Sequence, residues 1–365
     1  MKIAAAVRDR GSDTFRIETL ELEEPRDDEV LVRIVASGVC HTDLVSHDRV
    51  PLPAVFGHEG AGIVERVGSR VSRVKRGDRV VLSFPSCGAC PGCYEGAPYR
   101  CDHLGQLAFG GARRDGSSPL KRPNGERVSG AFLQQSSFAT HAIATERNTI
   151  PIAADVPLEL MGPLGCGIQT GAGAILNAMK VARGKSLVVF GAGAVGLAGA
   201  MAAALVGAAP IVAIDIVPGR LALAREVGAT DTIDARAGDV PAKVRAILPR
   251  GADYVLETTA DAQAFGDAFA SLAMGAAIAL VTVPNRGQPF PFAPRPIVAA
   301  AATVHGVIEG QAVPELFIPE MIAHYRRGRF PFDRLVRYYP FADINRAVAD
   351  SHSGATVKPI LRMDG

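Results

Sequence analysis

The run Ser186-Leu-Val-Val-Phe-Gly-Ala-Gly-Ala-Val-Gly196, with Asp215 beyond it, constrains this fold more than any other stretch. Leu187 to Phe190 are apolar without alternation, as a strand buried on both faces of a parallel sheet requires. Gly191, Gly193 and Gly196 then spell G-x-G-x-x-G, with Val195 before the last glycine, where strand should turn into helix. In such a turn the first glycine permits the tight bend and the second lets backbone approach a pyrophosphate. The third lets helix pack closely on strand. Free N–H groups and the positive dipole end of the next helix favour phosphate.

Leu197 to Val206 reads as that helix, Gly207 as its stop, and Ile211 to Asp215 as the second strand. Asp215 falls 19 residues after Gly196 (215 − 196), placed to hold a ribose 2′-hydroxyl, which favours NAD over NADP. Arg220 can serve either cofactor. The uncharged span Ser186 to Ile214 is long enough for a membrane helix. Five glycines, Pro210 and the strand–turn–helix–strand rhythm argue against one.

From Gln169 onward the chain alternates strand and helix. Helices are expected over 218–228, 239–248 and 261–273, and strands at Asp231–Ile233, Tyr254–Glu257 and Ala277–Val283. That rhythm predicts a doubly wound parallel sheet. Before it, Val30-Leu-Val-Arg-Ile-Val, Ala61-Gly-Ile-Val-Glu-Arg-Val-Gly and Gly77-Asp-Arg-Val-Val-Leu-Ser read as strands, and close-set glycines suggest an irregular β-barrel. Residues 110–130 read as an exposed loop. The tail predicts helices Ile318–Arg326 and Ala342–Ser351 and strands Val336–Tyr338 and Lys358–Arg362. It is expected to return to the first domain, giving 1–167 with 307–365 as one domain and 168–306 as the dinucleotide domain.

A net charge of +2 over 365 residues is too small to suggest nucleic acid or an anionic membrane as the main partner. The N-terminus has no apolar core before Arg8 and Asp9, so a cytoplasmic, reducing location is expected. Cysteines there read as ligands before disulfides. Cys87-x2-Cys90-x2-Cys93-x7-Cys101 can close a tetrahedral four-thiolate zinc site, which organises a loop and performs no chemistry. An iron–sulfur run would have a three-residue last gap and Cys-Pro, where this chain has seven and Asp102. Cys40 and Cys166 remain. With His58 they would leave a fourth zinc position open, as a catalytic zinc requires. Spacing alone does not bring the three together, and a lone buried cysteine commonly packs as a small hydrophobe.

Four features in order, Gly-Val-Cys40-His-Thr-Asp, Gly-His58-Glu-Gly-x-Gly, the four-cysteine lobe and the fingerprint ending at Asp215, resemble the zinc-dependent medium-chain alcohol dehydrogenases over essentially the whole chain. Gly165-Cys-Gly-Ile-Gln-Thr-Gly-Ala-Gly173, Gln135-Ser-Ser-Phe-Ala-Thr and Phe330-Pro-Phe-Asp-Arg-Leu resemble the bacterial aryl-alcohol branch, which takes benzyl alcohol and allylic terpene alcohols such as geraniol. The resemblance implies a GroES-like β-barrel catalytic domain and a Rossmann cofactor domain, two zinc ions per chain, NAD, and a homodimer or homotetramer acting on small-molecule alcohols and aldehydes.

It also implies residue roles. Cys40, His58 and Cys166 bind the catalytic zinc, and Cys87, Cys90, Cys93 and Cys101 the structural one. Glu59 approaches the metal transiently, Asp43 orients His58, and Thr42 takes the substrate proton. His41 and Lys358 lie near the pyrophosphate, Thr170 beside the nicotinamide, and Asp215 with Arg220 on the adenosine ribose. The liver-type relay histidine falls near Val45, which accepts no proton, so either His47 is the substitute or the ribose hydroxyl passes the proton straight to water and His47 is a plain surface residue. By the same resemblance Ser83 stands where liver-type enzymes carry a bulky pocket residue, so it either makes room for an aromatic or branched substrate or is an ordinary strand-end serine. The alternatives are a glutathione-dependent formaldehyde dehydrogenase, a broad aliphatic alcohol dehydrogenase, or a zinc- and nucleotide-binding protein without turnover.

Overall fold

The alternating run at Val30 becomes the central strand Glu29–Gly38 of a seven-stranded sheet in the computed structural model, which describes residues 1–282 and 294–363. Sheet order is Thr149–Pro151, Arg79–Leu82, Glu59–Val67, Glu29–Gly38, Lys358–Arg362, Val336–Pro340, and His141–Thr145 also pairs with Glu29–Gly38. A second sheet runs Ala54–Val55, Lys2–Arg8, Phe15–Leu22, Leu120–Lys121, Arg127–Val128. Strand residues of both, among them Val7, Leu20, Val32 and Ile34, share one apolar core with Phe56, Phe132 and Phe138 from the connecting segments. Truncating one of these wholly buried phenylalanines to alanine would cost about 3–5 kcal/mol. The expected barrel therefore takes the form of two sheets around one core.

Residues 110–130 are more ordered than a loop reading suggests. They supply the short hairpin Leu120–Lys121 and Arg127–Val128. Its apolar Leu120 and Val128 are buried, and buried Arg113 donates to both oxygens of buried Glu29 at 2.6 and 3.0 Å. Polar composition hid this because the ordering comes from one buried ion pair and sheet-edge pairing, both long-range.

The second unit is a six-stranded parallel sheet ordered Asp231–Asp234, Ile211–Asp215, Leu187–Phe190, Ala252–Glu257, Leu272–Leu280, Thr303–Gly306. The order reverses at Leu187–Phe190, whose carboxyl end carries the glycine turn, the position where doubly wound sheets bind ligands. The helix Ala194–Val206 ends at Gly207, which takes a left-handed φ of 76°. The helix expected over 261–273 is shorter, Ala262–Ala270, and its neighbouring strand starts early, at Leu272. Ser271 Oγ donates back to Asp267 O at 2.7 Å as that helix stops. Val283, the expected end of that strand, lies outside the described residues.

Chain division differs slightly from the expected boundary. Met1–Cys166, Val313–Glu320 and Val336–Gly365 form the first unit, and Gly167–Ala312 with Met321–Leu335 the second. Among the described residues no helix is long and apolar enough to cross a membrane.

Candidate active site

Antiparallel register sets Gly38 opposite Glu59, so Cys40, two residues past one strand, meets His58, one residue before the other. Cys166 arrives on the turn Gly162–Gly165, which approaches the strand Arg79–Leu82 closely. A Cβ on Gly165 would lie 2.1 Å from Leu82 O, so only glycine fits there. Donor atoms of Cys40, His58, Glu59 and Cys166 consequently lie within 4.8 Å of one another.

Asp43 locks this group from behind. It is wholly buried, and its Oδ1 accepts from His58 Nδ1 at 2.7 Å and Gly57 N at 3.0 Å, while Oδ2 accepts from Cys40 N at 2.9 Å. With Nδ1 donating to the carboxylate, Nε2 faces the thiols, 3.2 Å from Cys166 Sγ. The edge of Phe132 packs on the His58 ring with centroids 5.5 Å apart.

A hydrogen bond with Cys166 and the nearby His58 charge hold the Cys40 thiol well below its usual range, against the effect of burial. Burial opposes the charged form of His58, yet Asp43 and Cys40 outweigh it and hold the imidazole well above its usual value. The Cys40 donor is thus biased toward thiolate, the form a cation takes up, while His58 must give up its Nε2 proton to bind one. This chemistry fits zinc. Burial pushes Glu59 upward despite Lys358 beside it.

Lys358, which the resemblance implies near the pyrophosphate, also borders this donor group. It is 2 % exposed, and its ammonium donates to Glu59 Oε1 at 2.8 Å, Glu59 Oε2 at 2.9 Å and Val39 O at 3.3 Å. Those contacts use all three of its protons.

His41 is exposed and Thr42 half-buried at the start of the short helix His41–Val45. His47 is exposed with Nδ1 2.9 Å from Leu44 O. A carbonyl only accepts, so Nδ1 carries the hydrogen and Nε2 is left as the basic nitrogen. Ser83, expected at a pocket wall, is wholly buried, and its hydroxyl donates to Gly165 O at 2.8 Å. Its side chain braces the turn that carries Cys166.

Cys87, Cys90, Cys93 and Cys101 also gather within 4.8 Å, and no cysteine is in a disulfide. Cys87 Sγ and Cys93 Sγ are 4.0 Å apart. Backbone amides of Asp102 and Cys93 draw the Cys90 thiol down to about 6.

In the second unit Gly191 has a φ of 93°, and a Cβ on Gly196 would fall 1.8 Å from Gly191 O. Gly193 faces open space, as close approach of a ligand requires. Asp215 is buried, its Oδ2 accepting from Ala192 N at 2.7 Å and its Oδ1 from Val217 N at 2.8 Å, so it also braces the turn. Arg220 is half-buried in the helix Pro218–Glu226, and Thr170 half-buried in Gly167–Gly173.

The sequence reading gave no role to Gln135, Asn148 or Phe132, although Gln135 opens a quoted motif. Gln135 donates to His58 O, and Asn148 donates to Ser83 O.

A Cys–His–Cys–Glu donor group in one unit and a glycine-turn parallel sheet in the other define a zinc-binding dehydrogenase. Residues 26–154 match the alcohol dehydrogenase GroES-like domain, and residues 194–324 the zinc-binding dehydrogenase domain. The chain is 44 % identical over 361 residues to geraniol dehydrogenase of Castellaniella defragrans, covering 98 % of this chain and 96 % of that one. It is 34 % identical to an NDMA-dependent alcohol dehydrogenase of Amycolatopsis methanolica, covering 99 % of each. The crystal structure of benzyl alcohol dehydrogenase from Acinetobacter calcoaceticus superposes with a TM-score of 0.94 at 43 % identity, covering 99 % of both chains. The chain belongs to the zinc-dependent medium-chain alcohol dehydrogenase family.

Proposed function

We propose that this enzyme reversibly oxidises a primary aromatic or allylic alcohol, of the benzyl alcohol or geraniol type, to its aldehyde with NAD. The gathering of Cys40, His58 and Cys166 around one point, with Asp43 behind His58, carries the reading. The names of the geraniol and benzyl alcohol relatives support the substrate class. Cys40, His58 and Cys166 would hold one zinc and the four-cysteine lobe a second. When bound, the first zinc supplies Lewis acidity toward an alcohol oxygen, and the nicotinamide supplies a hydride acceptor.

The chain's own residues do the rest. Asp43 holds the His58 ring so that Nε2 faces the metal position. Thr42 receives the alcohol proton at its hydroxyl, and His47 Nε2 or the ribose hydroxyl passes it to water. Lys358 holds the Glu59 carboxylate at the edge of the donor group. Gly191 to Gly196 and the helix that follows take the pyrophosphate, with His41 and Lys358 nearby. Asp215 and Arg220 take the adenosine ribose, and Thr170 lies beside the nicotinamide. The family's usual assembly, a homodimer or homotetramer, is proposed as well.

NAD reduction with benzyl alcohol, geraniol, ethanol and S-hydroxymethylglutathione side by side tests the reading. Turnover of the first two well above ethanol is the expected result. Preference for ethanol or for the glutathione adduct would discard the substrate class. Two metals per chain with no turnover on any alcohol would favour a binding protein.

A further inference from the structure

Ahead of the strand His141–Thr145, three side-chain-bearing residues take left-handed backbone: Leu133 (φ 45°), Gln134 (φ 53°) and Ser136 (φ 48°). All three are buried. Such strain survives only where the surroundings over-determine it, and here they do. Gln134 Nε2 donates to Leu107 O and Ala112 O, each at 3.0 Å. Ser136 Oγ donates to Val55 O at 2.7 Å and accepts from Phe132 N at 2.9 Å. Asn148 Nδ2 donates to Gln134 O at 3.1 Å and to Leu133 O and Ser83 O at 3.3 Å.

The strained segment carries Gln135, a carboxamide with no exposure at all. Its Nε2 donates to His58 O at 3.0 Å and Ser83 O at 3.2 Å, and its Oε1 accepts from Gly60 N at 3.2 Å. The reverse orientation would set an oxygen against two carbonyls, so the network itself assigns this one. One side chain thereby grips the backbone on both sides of Glu59 and the strand end at Ser83. Ser83 Oγ continues the chain to Gly165 O, the residue before Cys166. Two ligand-bearing segments, remote in sequence, are thus tied through one buried amide.

We propose that Gln135 is a positioning residue of the metal group, setting the separation between the segments that carry His58 and Cys166. The inference rests on the reading that Cys40, His58 and Cys166 hold a zinc. A core filler at this place would be apolar, since a buried carboxamide is tolerated only when its polar atoms are satisfied. Two of the three side-chain bonds of Gln135 go to the backbone on either side of Glu59, and the third goes to Ser83, whose hydroxyl bonds Gly165 O.

The test is chelator competition on the full-length protein loaded with zinc, and separately with cobalt(II), comparing wild type with Gln135→Met and Gln135→Glu. The first keeps side-chain volume and removes all three bonds, and the second keeps only the acceptor to Gly60. Wild type is expected to hold two metals per chain. Each variant should release one at about 10- to 100-fold lower chelator, with a changed cobalt visible spectrum, while the four-cysteine metal stays as an internal reference. Gln134→Leu, which spares the bonds to His58 and Ser83, should lose stability and keep wild-type metal affinity. A folded Gln135→Met with wild-type affinity, or equal metal loss in Gln134→Leu, would overturn the inference and leave the functional reading standing. A wild type that holds only the four-cysteine metal would overturn both. Should neither Gln135 variant fold, exchange of the wild-type Gln135 carboxamide protons decides. Faster exchange after the Cys40 metal is stripped supports the coupling, and unchanged exchange refutes it.

Discussion

Replacing Asp43 by Asn keeps shape and removes charge at the point where three ligand-bearing contacts converge. The carboxylate accepts from His58 Nδ1, Gly57 N and Cys40 N. An amide has one acceptor oxygen, so its NH2 must face at least one of these donors. Oδ1 serves both His58 and Gly57, so an NH2 in its place leaves two donors unmatched, and the opposite rotamer leaves only Cys40 N unmatched. One unmet buried donor costs about 1–3 kcal/mol. Loss of the anion beside His58 removes a charge-assisted bond of similar size, about 1.5–3 kcal/mol. Since such terms are not additive, the expected loss of stability is about 2–4 kcal/mol. Metal affinity should fall about 10- to 100-fold, because a neutral amide oxygen holds the Nδ1 hydrogen less firmly than the carboxylate and leaves Nε2 less well aimed at the thiols. Equilibrium urea unfolding of the metal-loaded and stripped forms separates the two effects. Wild-type metal affinity in a folded Asp43→Asn chain would refute the claim that the second nitrogen's partner aims the ligand.

Two further outcomes can be checked together. Cys90→Ser should remove one metal per chain and hasten thermal inactivation, while metal at Cys40, His58 and Cys166 is retained, as metal analysis of the purified variant would reveal. His141 is held below the ordinary histidine value mainly by burial, which Glu65 only partly offsets. The unfolded chain therefore binds the proton more readily, and stability should be fully present above about pH 6.5 and decline as pH falls below it. His141→Gln should flatten that part of the urea-midpoint profile, and an unchanged slope would count against it.

Much of this protein is legible in one dimension because its signals are local. Leu187–Phe190 and Ile211–Asp215 read as strands and form at those residues, since short apolar runs between turn residues have few other fates. The four-cysteine lobe was legible for the same reason, as its donors lie within fifteen residues. Cys40, His58 and Cys166 are separated by more than a hundred residues at their extremes, and only strand register and the close approach at Gly165 join them.

Polar residues were the least legible. Resemblance sets Lys358 near a pyrophosphate and Ser83 at a pocket wall, and composition reads residues 110–130 as a loop; none of these names a partner. Each is decided by a partner distant in sequence: Glu59, Gly165 and Glu29. A charged or hydrogen-bonding side chain can be buried only where its atoms are matched, and that match exists only after the chain has folded. Local sequence determined the strands, the glycine turn and the cysteine lobe. Tertiary structure decided which polar groups face one another, and so where a metal would be held.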